Sequence, residues 1–202
     1  IPVSAFLLNR SSDLLELNEG IGHKPEYETL AMFGSNLLND DLPSIVKVNE
    51  ICNNYGMDTI SCGSVIGFAM ECFDKGLINK KDTQGIDLSF GNGDAAITVI
   101  HSIAKKEGIG KLLSEGVKRA SKKISGSAEM AIHVKGLEPP GYDPRGMKGQ
   151  ALTYAVADRG ACHMRSNTIR TELLGLPEPV DRFGYEGKAQ MVRELQISYA
   201  TF

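Results

Sequence analysis

The sequence has no tryptophan, and aromatic residues make up only 6% of its 202 residues, so the core must be built mainly from aliphatic side chains. No apolar run approaches the roughly 20 residues that a membrane-spanning helix needs. The first ten residues, IPVSAFLLNR, lack both the basic segment and the small-residue cleavage site of a signal peptide. These absences predict a cytoplasmic protein without a membrane segment. Because the chain does not begin with methionine, we also expect it to be a piece of a longer protein.

An excess of positive charge is also missing. The formal net charge is -3 at pH 7, although hydrophobic residues (42%) and charged residues (23%) are ordinary for a globular domain. Nucleic-acid-binding domains and proteins that bind anionic membranes usually present a basic surface. The composition therefore argues against both kinds of partner.

Several familiar metal and nucleophile motifs are absent. There is no CxxC, no HExxH and no GxSxG, so neither a zinc site nor a serine hydrolase is indicated. The cysteines are most simply interpreted as buried, reduced thiols; they are Cys52, Cys62, Cys72 and Cys162. Three histidines without ligand spacing are expected to be surface or packed residues, namely His23, His101 and His133.

What the sequence does contain is helical periodicity, and the alternation of strands and helices typical of a Rossmann sheet is missing. The clearest helix spans 39–56, with Asp40 or Asp41 as its cap, Pro43 in its first turn and Gly56 as its end. We therefore predict a mainly α fold. The other predicted helices are 24–38, 58–75, 92–104, 108–124, 148–158 and 186–202, with a short strand over 128–138 and weak strand character before residue 24.

Two glycine-containing segments have alternative interpretations. GNGDAA (91–96) lacks the third glycine and the preceding strand of a dinucleotide-binding motif, so an ordinary helix start is favoured over a phosphate site. The stretch 143–165 combines Arg145, Lys148, Arg159 and Arg165 with Gly146, Gly149 and Gly160. It is either a solvated charged face or the wall of an anionic ligand site, where arginine forks and close backbone approach are useful.

Five segments in order resemble the tungsten-containing aldehyde:ferredoxin oxidoreductases over residues 24–165, with weaker similarity to the end. Because they occur in the same order as in that family, they are more specific than any single motif. The segments are PEYETLAMFGSNLLNDDL, NEICNNYGMDTISCGSVIGFAMECFDKGLI, FGNGDAAI, KKEGIGKLLSEGVKRA and VKGLEPPGYDPRGMKGQALTYAVADRGACH.

The resemblance implies a multihelical fold like domains 2 and 3 of that enzyme, and a bis-pterin cofactor carrying tungsten or molybdenum beside a [4Fe-4S] cluster. It also implies oxidation of a small aldehyde to a carboxylic acid, with electrons passed to ferredoxin. The pterin dithiolenes would hold the metal, so no metal ligands are expected from this chain. The other implied partners are the remaining domains of the parent enzyme, and a homodimer is left open.

The same resemblance implies roles for individual residues. Glu28, the last residue of PEYE, matches the acid/base glutamate, and His163 of RGACH matches the active-site histidine. From the residues alone, the preferred interpretation of Glu28 is a first-turn carboxylate favoured by the helix dipole. Pterin contacts are implied for Asn53, Gly56, Met57 and Asp58 in NNYGMD and for Arg165.

The sequence also departs from the family pattern. Asn53 stands where the family usually has Asp, and IPVSA at the start resembles a cluster-binding CPxxC with Ile1 and Ala5 at the cysteine positions. Neither side chain can bind iron. The second pterin motif would follow Phe202.

We therefore expect a lead-in, 1–23, that resembles a degenerate cluster segment, and a helical pterin- and substrate-wall region, 24–202, of a larger enzyme. The isolated chain should be inactive. The alternative is a non-catalytic helical binding or scaffold module derived from the same family.

Overall fold

In the computed structural model the backbone is described for residues 14–17 and 20–201, and the side chains for residues 24–201. The described part is mainly helical, as predicted, and its strands form one antiparallel hairpin in which Leu14 pairs with His23 and Leu17 with Gly20. The elements are β1 (Leu14–Leu17), β2 (Gly20–His23), α1 (Tyr27–Phe33), α2 (Leu42–Tyr55), α3 (Thr59–Asp74), α4 (Gly93–Lys105), α5 (Gly108–Leu113), α6 (Val117–Ala120), α7 (Lys148–Val156), α8 (Ile169–Leu174) and α9 (Lys188–Thr201). Short 3-10 turns lie at Ser35–Leu37, Ala128–Met130 and His163–Arg165.

The described residues fall into two compact units that meet in the sequence at Ile132 and His133. The first unit contains the hairpin and α1–α6, and the second contains α7–α9. None of the helices in the described part is both long and apolar enough to cross a bilayer.

The ends of α2 and α3 follow from the predicted caps. Asp41 caps α2 by accepting a hydrogen bond from the Ser44 amide at 3.1 Å, and Gly56 ends the helix in the left-handed conformation with φ 66°. Asp58 then caps α3, its carboxylate accepting from the Ser61 amide at 2.8 Å. Because both caps satisfy amides that a helix start leaves unpaired, the connection between the helices is fixed tightly.

Two predicted elements differ in the structure. The helix expected over 108–124 is interrupted between α5 and α6, because Gly116 adopts φ 79° and breaks the ladder of helical hydrogen bonds. The strand expected over 128–138 is wrong. That segment forms a 3-10 turn and then a single antiparallel bridge between Val134 and Leu137, since an alternating pattern makes a strand only where a partner strand lies beside it.

The core of the first unit is aliphatic and lies where α2, α3 and α4 pack together. Its fully buried side chains include Ile66, Met70, Leu88 and Ile100. The small-residue face of α3 is occupied by the chain itself. A Cβ added at Gly63 would lie 2.6 Å from Met32 Cβ, so α1 packs directly on the α3 backbone.

The second unit is organised around a buried ion pair. Lys188 Nζ on α9 lies 2.7 Å from Glu172 Oε1 on α8, and both side chains are buried. The Glu172 carboxylate also accepts the Gly149 amide at 2.8 Å and the Gln150 amide at 2.9 Å, at the start of α7. One carboxylate thus ties all three helices of this unit together.

Candidate functional site

Glu28 lies in the first turn of α1, and no capping side chain bonds that end of the helix. Its side chain is half-buried, with Oε1 shielded from solvent. The neighbouring Tyr27 is 50% exposed, and partial burial together with the negative charge of Glu28 raises the pKa of the tyrosine hydroxyl. A carboxylate held partly out of water at a helix start is a suitable proton acceptor.

The NNYGMD segment forms the end of α2 and the turn into α3. Asn53 and Gly56 are exposed, and a Cβ added at Gly56 would meet nothing within 4 Å, so its backbone is open to a ligand. Met57 and Asp58 line a cleft of about 370 Å³. The cleft is lined by both apolar and polar side chains. Its other lining residues are Tyr55, Ser61, Cys62, Val65, Ile103, Ala104, Lys106, Leu113, Ser114 and Gly116.

A hydrogen bond that the sequence did not predict joins the residue after Glu28 to the residue after Asp58. The hydroxyls of Thr29 and Thr59 are 2.9 Å apart, and Thr29 is buried. Thr29 directly follows Glu28, and Thr59 directly follows Asp58. The first unit therefore places the candidate base beside the candidate pterin-binding turn, two segments that lie 30 residues apart in the sequence.

The cysteines are buried thiols outside any disulfide, which confirms the prediction. The pKa of the Cys52 thiol is lowered by hydrogen bonding with the Cys62 side chain, which outweighs the opposing effect of burial. Cys72 behaves differently, because burial and then the charge of Glu71 raise the pKa of its thiol to about 11. The ten-residue spacing of the three cysteines was visible in the sequence, but the interaction between two of them was not.

In the second unit, His163 begins the 3-10 turn His163–Arg165. Its ring is half-buried and lies 5.7 Å from the ring of Tyr142, centre to centre. Arg165 ends the same turn, with Nε 3.2 Å from Asp158 Oδ1. Both partners of this ion pair are about half exposed or more, so the pair is weak and another anion can replace the aspartate.

Two other cations of 143–165, Arg145 and Lys148, have partners within their own unit. Arg145 is 90% exposed and pairs with Asp143 at 2.6 Å, and the hydrogen bond from the guanidinium lowers the pKa of the Asp143 carboxyl. The ammonium of Lys148 lies 5.7 Å from the centre of the Tyr185 ring. The part of 143–165 that precedes α7 is therefore a solvated charged face. Within the whole stretch, Arg165 is the better candidate for contact with a ligand.

The glycines of this stretch serve internal packing. A Cβ at Gly160, which has φ 105°, would lie only 2.2 Å from the Val134 carbonyl oxygen. A Cβ at Gly149 would lie 2.5 Å from Met191 Cε and 2.9 Å from Glu172 Oε2. Close backbone approach is present as expected, but the approaching groups belong to the same chain.

The remaining candidates follow the simpler interpretations. Asn92 caps α4 by accepting from the Ala95 amide at 3.0 Å, and a Cβ on Gly93 would lie 2.5 Å from Ser44 Oγ, so this helix start is packed against the chain. His101 packs edge-on against Tyr55, with Nδ1 3.2 Å from the tyrosine oxygen. His133 is half-buried, and the side chain of His23 lies outside the described residues.

Near the cleft, the donors and acceptors fit the edge of a pterin better than a metal ion. An exposed aspartate beside open glycine backbone can accept from ring N–H groups, and the apolar lining residues suit a flat heterocycle. Within the described residues there is no group of three or more His, Cys, Asp or Glu that could hold a metal. Ile1 and Ala5, the positions that resemble a cluster motif, lie outside the described residues.

Comparison with known proteins identifies the family of this chain. The family described as "Aldehyde ferredoxin oxidoreductase, domains 2 & 3" matches residues 9–202. The tungsten-containing aldehyde ferredoxin oxidoreductase of Pyrococcus horikoshii is 43% identical over 160 residues, which cover 78% of this chain and 26% of that protein. The protein of the same description from Thermococcus kodakarensis is 37% identical over 163 residues, covering 80% and 27%.

A more distant relative is the aliphatic sulfonate oxidoreductase, WOR-like subunit, of Pyrococcus furiosus, 35% identical over 150 residues, covering 71% of this chain and 24% of that one. Among solved structures, the active-site complex BamBC of benzoyl coenzyme A reductase superposes with a TM-score of 0.62 at 16% identity, covering 91% of this chain and 29% of that chain. This likeness shows the fold alone.

The chain spans about a quarter of the length of the curated relatives that it matches. The family match nevertheless extends over nearly all of the sequence, and it includes both the α1 glutamate and the turn into α3. The chain belongs to the aldehyde ferredoxin oxidoreductase family.

Proposed function

We propose that this chain forms part of the cofactor and substrate wall of an oxidoreductase that converts aldehydes to carboxylic acids. Oxidation of a hydrated aldehyde releases two electrons and two protons, so the site needs an acceptor for each. A tungsten (or molybdenum) bis-pterin, when bound, takes the electrons, which then leave through an iron–sulfur cluster to ferredoxin. We expect such an enzyme in the cytoplasm, assembled with the parent protein's remaining domains.

The observation that carries the proposal is the hydrogen bond between Thr29 and Thr59, which holds Glu28 beside the turn at Asp58. In the proposed reaction the Glu28 carboxylate takes a proton from water or from the aldehyde hydrate. Its side chain is half-buried at the helix start, where a carboxylate can take a proton from a bound hydrate. Removing the proton makes the substrate oxygen a better electron donor.

The residues of the turn would bind the pterin. Asp58 would accept hydrogen bonds from the ring N–H groups, while Met57 contacts the ring face and Gly56 lets the ring approach the backbone. Asn53 offers an amide in place of a carboxylate, so it accepts hydrogen bonds without adding charge. In the second unit Arg165 would bind an anionic group of the cofactor, and His163 would donate to the substrate oxygen as charge develops there.

Elemental analysis of the protein purified from its native source tests this function. We expect tungsten or molybdenum, and roughly four irons per chain if a [4Fe-4S] cluster is present. Tungsten or molybdenum without iron would keep the pterin enzyme and remove the proposed electron exit.

A protein that contains none of these metals would contradict the proposal. It would leave the scaffold module as the better interpretation, which the substitution of Asp by Asn53 already favours. In that case Glu28 and His163 would be remnants of an ancestral site.

A further inference from the structure

One segment of the first unit carries a charge opposite to that of the chain as a whole. Residues 105–123, from the end of α4 to just beyond α6, contain seven cations and two carboxylates. This gives a net charge of +5 in a chain whose net charge is -3. All seven cations are exposed, and the proposed chemistry uses none of them. They are Lys105, Lys106, Lys111, Lys118, Arg119, Lys122 and Lys123.

The cations of this segment lie on the outer side of packed helices. The apolar side chains between them are buried in the core of the first unit, namely Ile103, Ile109, Leu113, Val117, Ala120 and Ile124. Helix α5 packs against both α4 and α6, and Lys123 Nζ lies 2.6 Å from Glu115 Oε1. The hydrogen bond from Lys123 lowers the pKa of the Glu115 carboxyl, and the charges of Arg119 and Lys111 lower it further. The cations of α5 and α6 therefore share one surface.

Most of this positive charge has no internal partner. Of the seven cations, only Lys123 forms an ion pair with any of residues 24–201. Other exposed lysines of the first unit do have carboxylate partners: Lys47 pairs with Glu50, Lys75 with Asp74 and Lys80 with Asp87. Because like charges held close together repel one another, the unpaired cluster does not stabilise the fold. An anionic partner outside the chain would remove this repulsion.

We propose that the exposed cations of 105–123 form a docking surface for an acidic protein that carries electrons away from the enzyme. Complementary charges at such a contact speed association and set the orientation of the partner, and salt weakens both effects. A small ferredoxin with a negatively charged surface has the matching chemistry. The net negative charge of this chain disfavours a long polyanion such as a nucleic acid, and favours a compact partner whose acidic patch meets only this surface.

This inference rests on the proposed function, because oxidation of an aldehyde needs an electron acceptor, and it adds the place at which that acceptor binds. The experiment measures association of an acidic [4Fe-4S] ferredoxin with the native full-length protein by surface plasmon resonance, at low and at high ionic strength. The test variant combines Lys118→Gln, Arg119→Gln and Lys122→Gln. We expect its association rate at low salt to fall roughly tenfold, and the salt dependence of that rate to weaken.

The matched control combines Lys47→Gln, Lys75→Gln and Lys80→Gln. It removes the same amount of charge, but from exposed lysines whose charge is already balanced by a neighbouring carboxylate. Its association rate should stay within about twofold of that of the unchanged protein. Both variants should reduce a viologen dye with aldehyde at the unchanged rate, because a small dye needs no docking surface. With ferredoxin as acceptor, only the test variant should show a raised KM.

The two proposals can fail separately. If the unchanged protein does not reduce the dye, the proposed function fails, whereas the comparison of association rates still tests the docking surface. The docking surface is overturned if the two variants bind ferredoxin equally well, or if association does not depend on salt. It is also overturned if duplex DNA or vesicles of anionic phospholipid bind to these cations more tightly than ferredoxin does.

Discussion

At the scale of single residues, the important features are polar groups placed where water is partly or fully excluded. Glu28 is half-buried in the first turn of α1, and Glu172 is fully buried but satisfied by two amides and an ammonium. The first is suited to proton transfer, because its charged form is less well solvated. The second stabilises the structure, because every one of its contacts supports the negative charge.

Glu28→Gln in the full-length protein should reduce aldehyde-dependent dye reduction by about 10²- to 10⁴-fold, the usual contribution of a general base. The amide has nearly the same shape but cannot accept the proton. Metal content, measured on the same sample, should not change. Glu26→Gln is the matched control, because Glu26 lies in the same PEYE motif, is exposed and makes no side-chain capping bond. Equal activities for the two variants would exclude Glu28 as the base.

Lys188→Met should lower the free energy of unfolding by about 3–5 kcal/mol, because it leaves the buried Glu172 without its counter-charge. Urea unfolding followed by circular dichroism would measure the change. Lys47→Met is the matched control: Lys47 pairs with Glu50 at 3.2 Å, but both side chains are about half exposed. Its loss should cost no more than about 1 kcal/mol. A similar small effect for both variants would show that the Glu172 amide contacts alone are sufficient.

At the scale of elements, the first unit depends on close packing between α1 and α3. Gly63 admits Met32 to the α3 backbone, and Asn36 Nδ2 donates to the Gly63 carbonyl at 3.2 Å. This packing puts Thr29 within hydrogen-bond reach of Thr59 and so sets the position of Glu28. The small residues on α3 therefore determine the geometry of the candidate site, although none of them is proposed to touch a ligand.

Gly63→Ala should destabilise the protein by about 1–3 kcal/mol, the usual cost of adding a methyl group to a tightly packed interface. The new Cβ would meet Met32 Cβ at 2.6 Å and the Met32 carbonyl oxygen at 2.8 Å, and a backbone atom cannot move aside easily. Thermal unfolding gives the measurement. At the control position, Gly146→Ala, the added methyl comes no closer than 3.5 Å to the Asp143 oxygen, so we expect a change within about 0.5 kcal/mol. Equal melting temperatures for the two variants would refute the packing argument.

At the scale of the whole molecule, the two units are built differently. The large hydrophobic cluster lies within the first unit, between Phe33 and Ala131. In the second unit, α7, α8 and α9 are joined by the buried polar contacts of Glu172, and fewer apolar side chains are buried. These are Met147, Tyr154, Ala157, Ala161, Cys162, Ile169 and Val192.

Residues 9–132 expressed alone should fold and unfold cooperatively, because the unit contains its own aliphatic core. Residues 133–202 alone should show no cooperative transition, because a domain of this size with few buried apolar groups is marginal at best. Circular dichroism melts and the dispersion of amide signals in NMR spectra would test both. A sharp melt for the second piece, or none for the first, would contradict this assignment of stability.

The amino-acid sequence by itself determined the local structure and the family. Asp41, Asp58 and Asn92 cap their helices and Gly56 ends α2, because these caps act on amides and carbonyls only a few residues away. The five ordered motifs identified the family because each of them is a contiguous segment of the chain. The prediction of a strand at 128–138 was wrong because a strand also needs a partner strand, and a local sequence pattern carries no information about that partner.

Only the tertiary structure decided which distant side chains meet. Thr29 bonds Thr59 across 30 residues, and Glu172 pairs with Lys188 from another helix. These contacts depend on the angles at which the helices cross and on the small residues that let them approach closely. The hydrophobic periodicity of one helix carries no information about which helix packs against it. The residues of the candidate site could therefore be predicted from the sequence, whereas the distances between them are set only by tertiary packing.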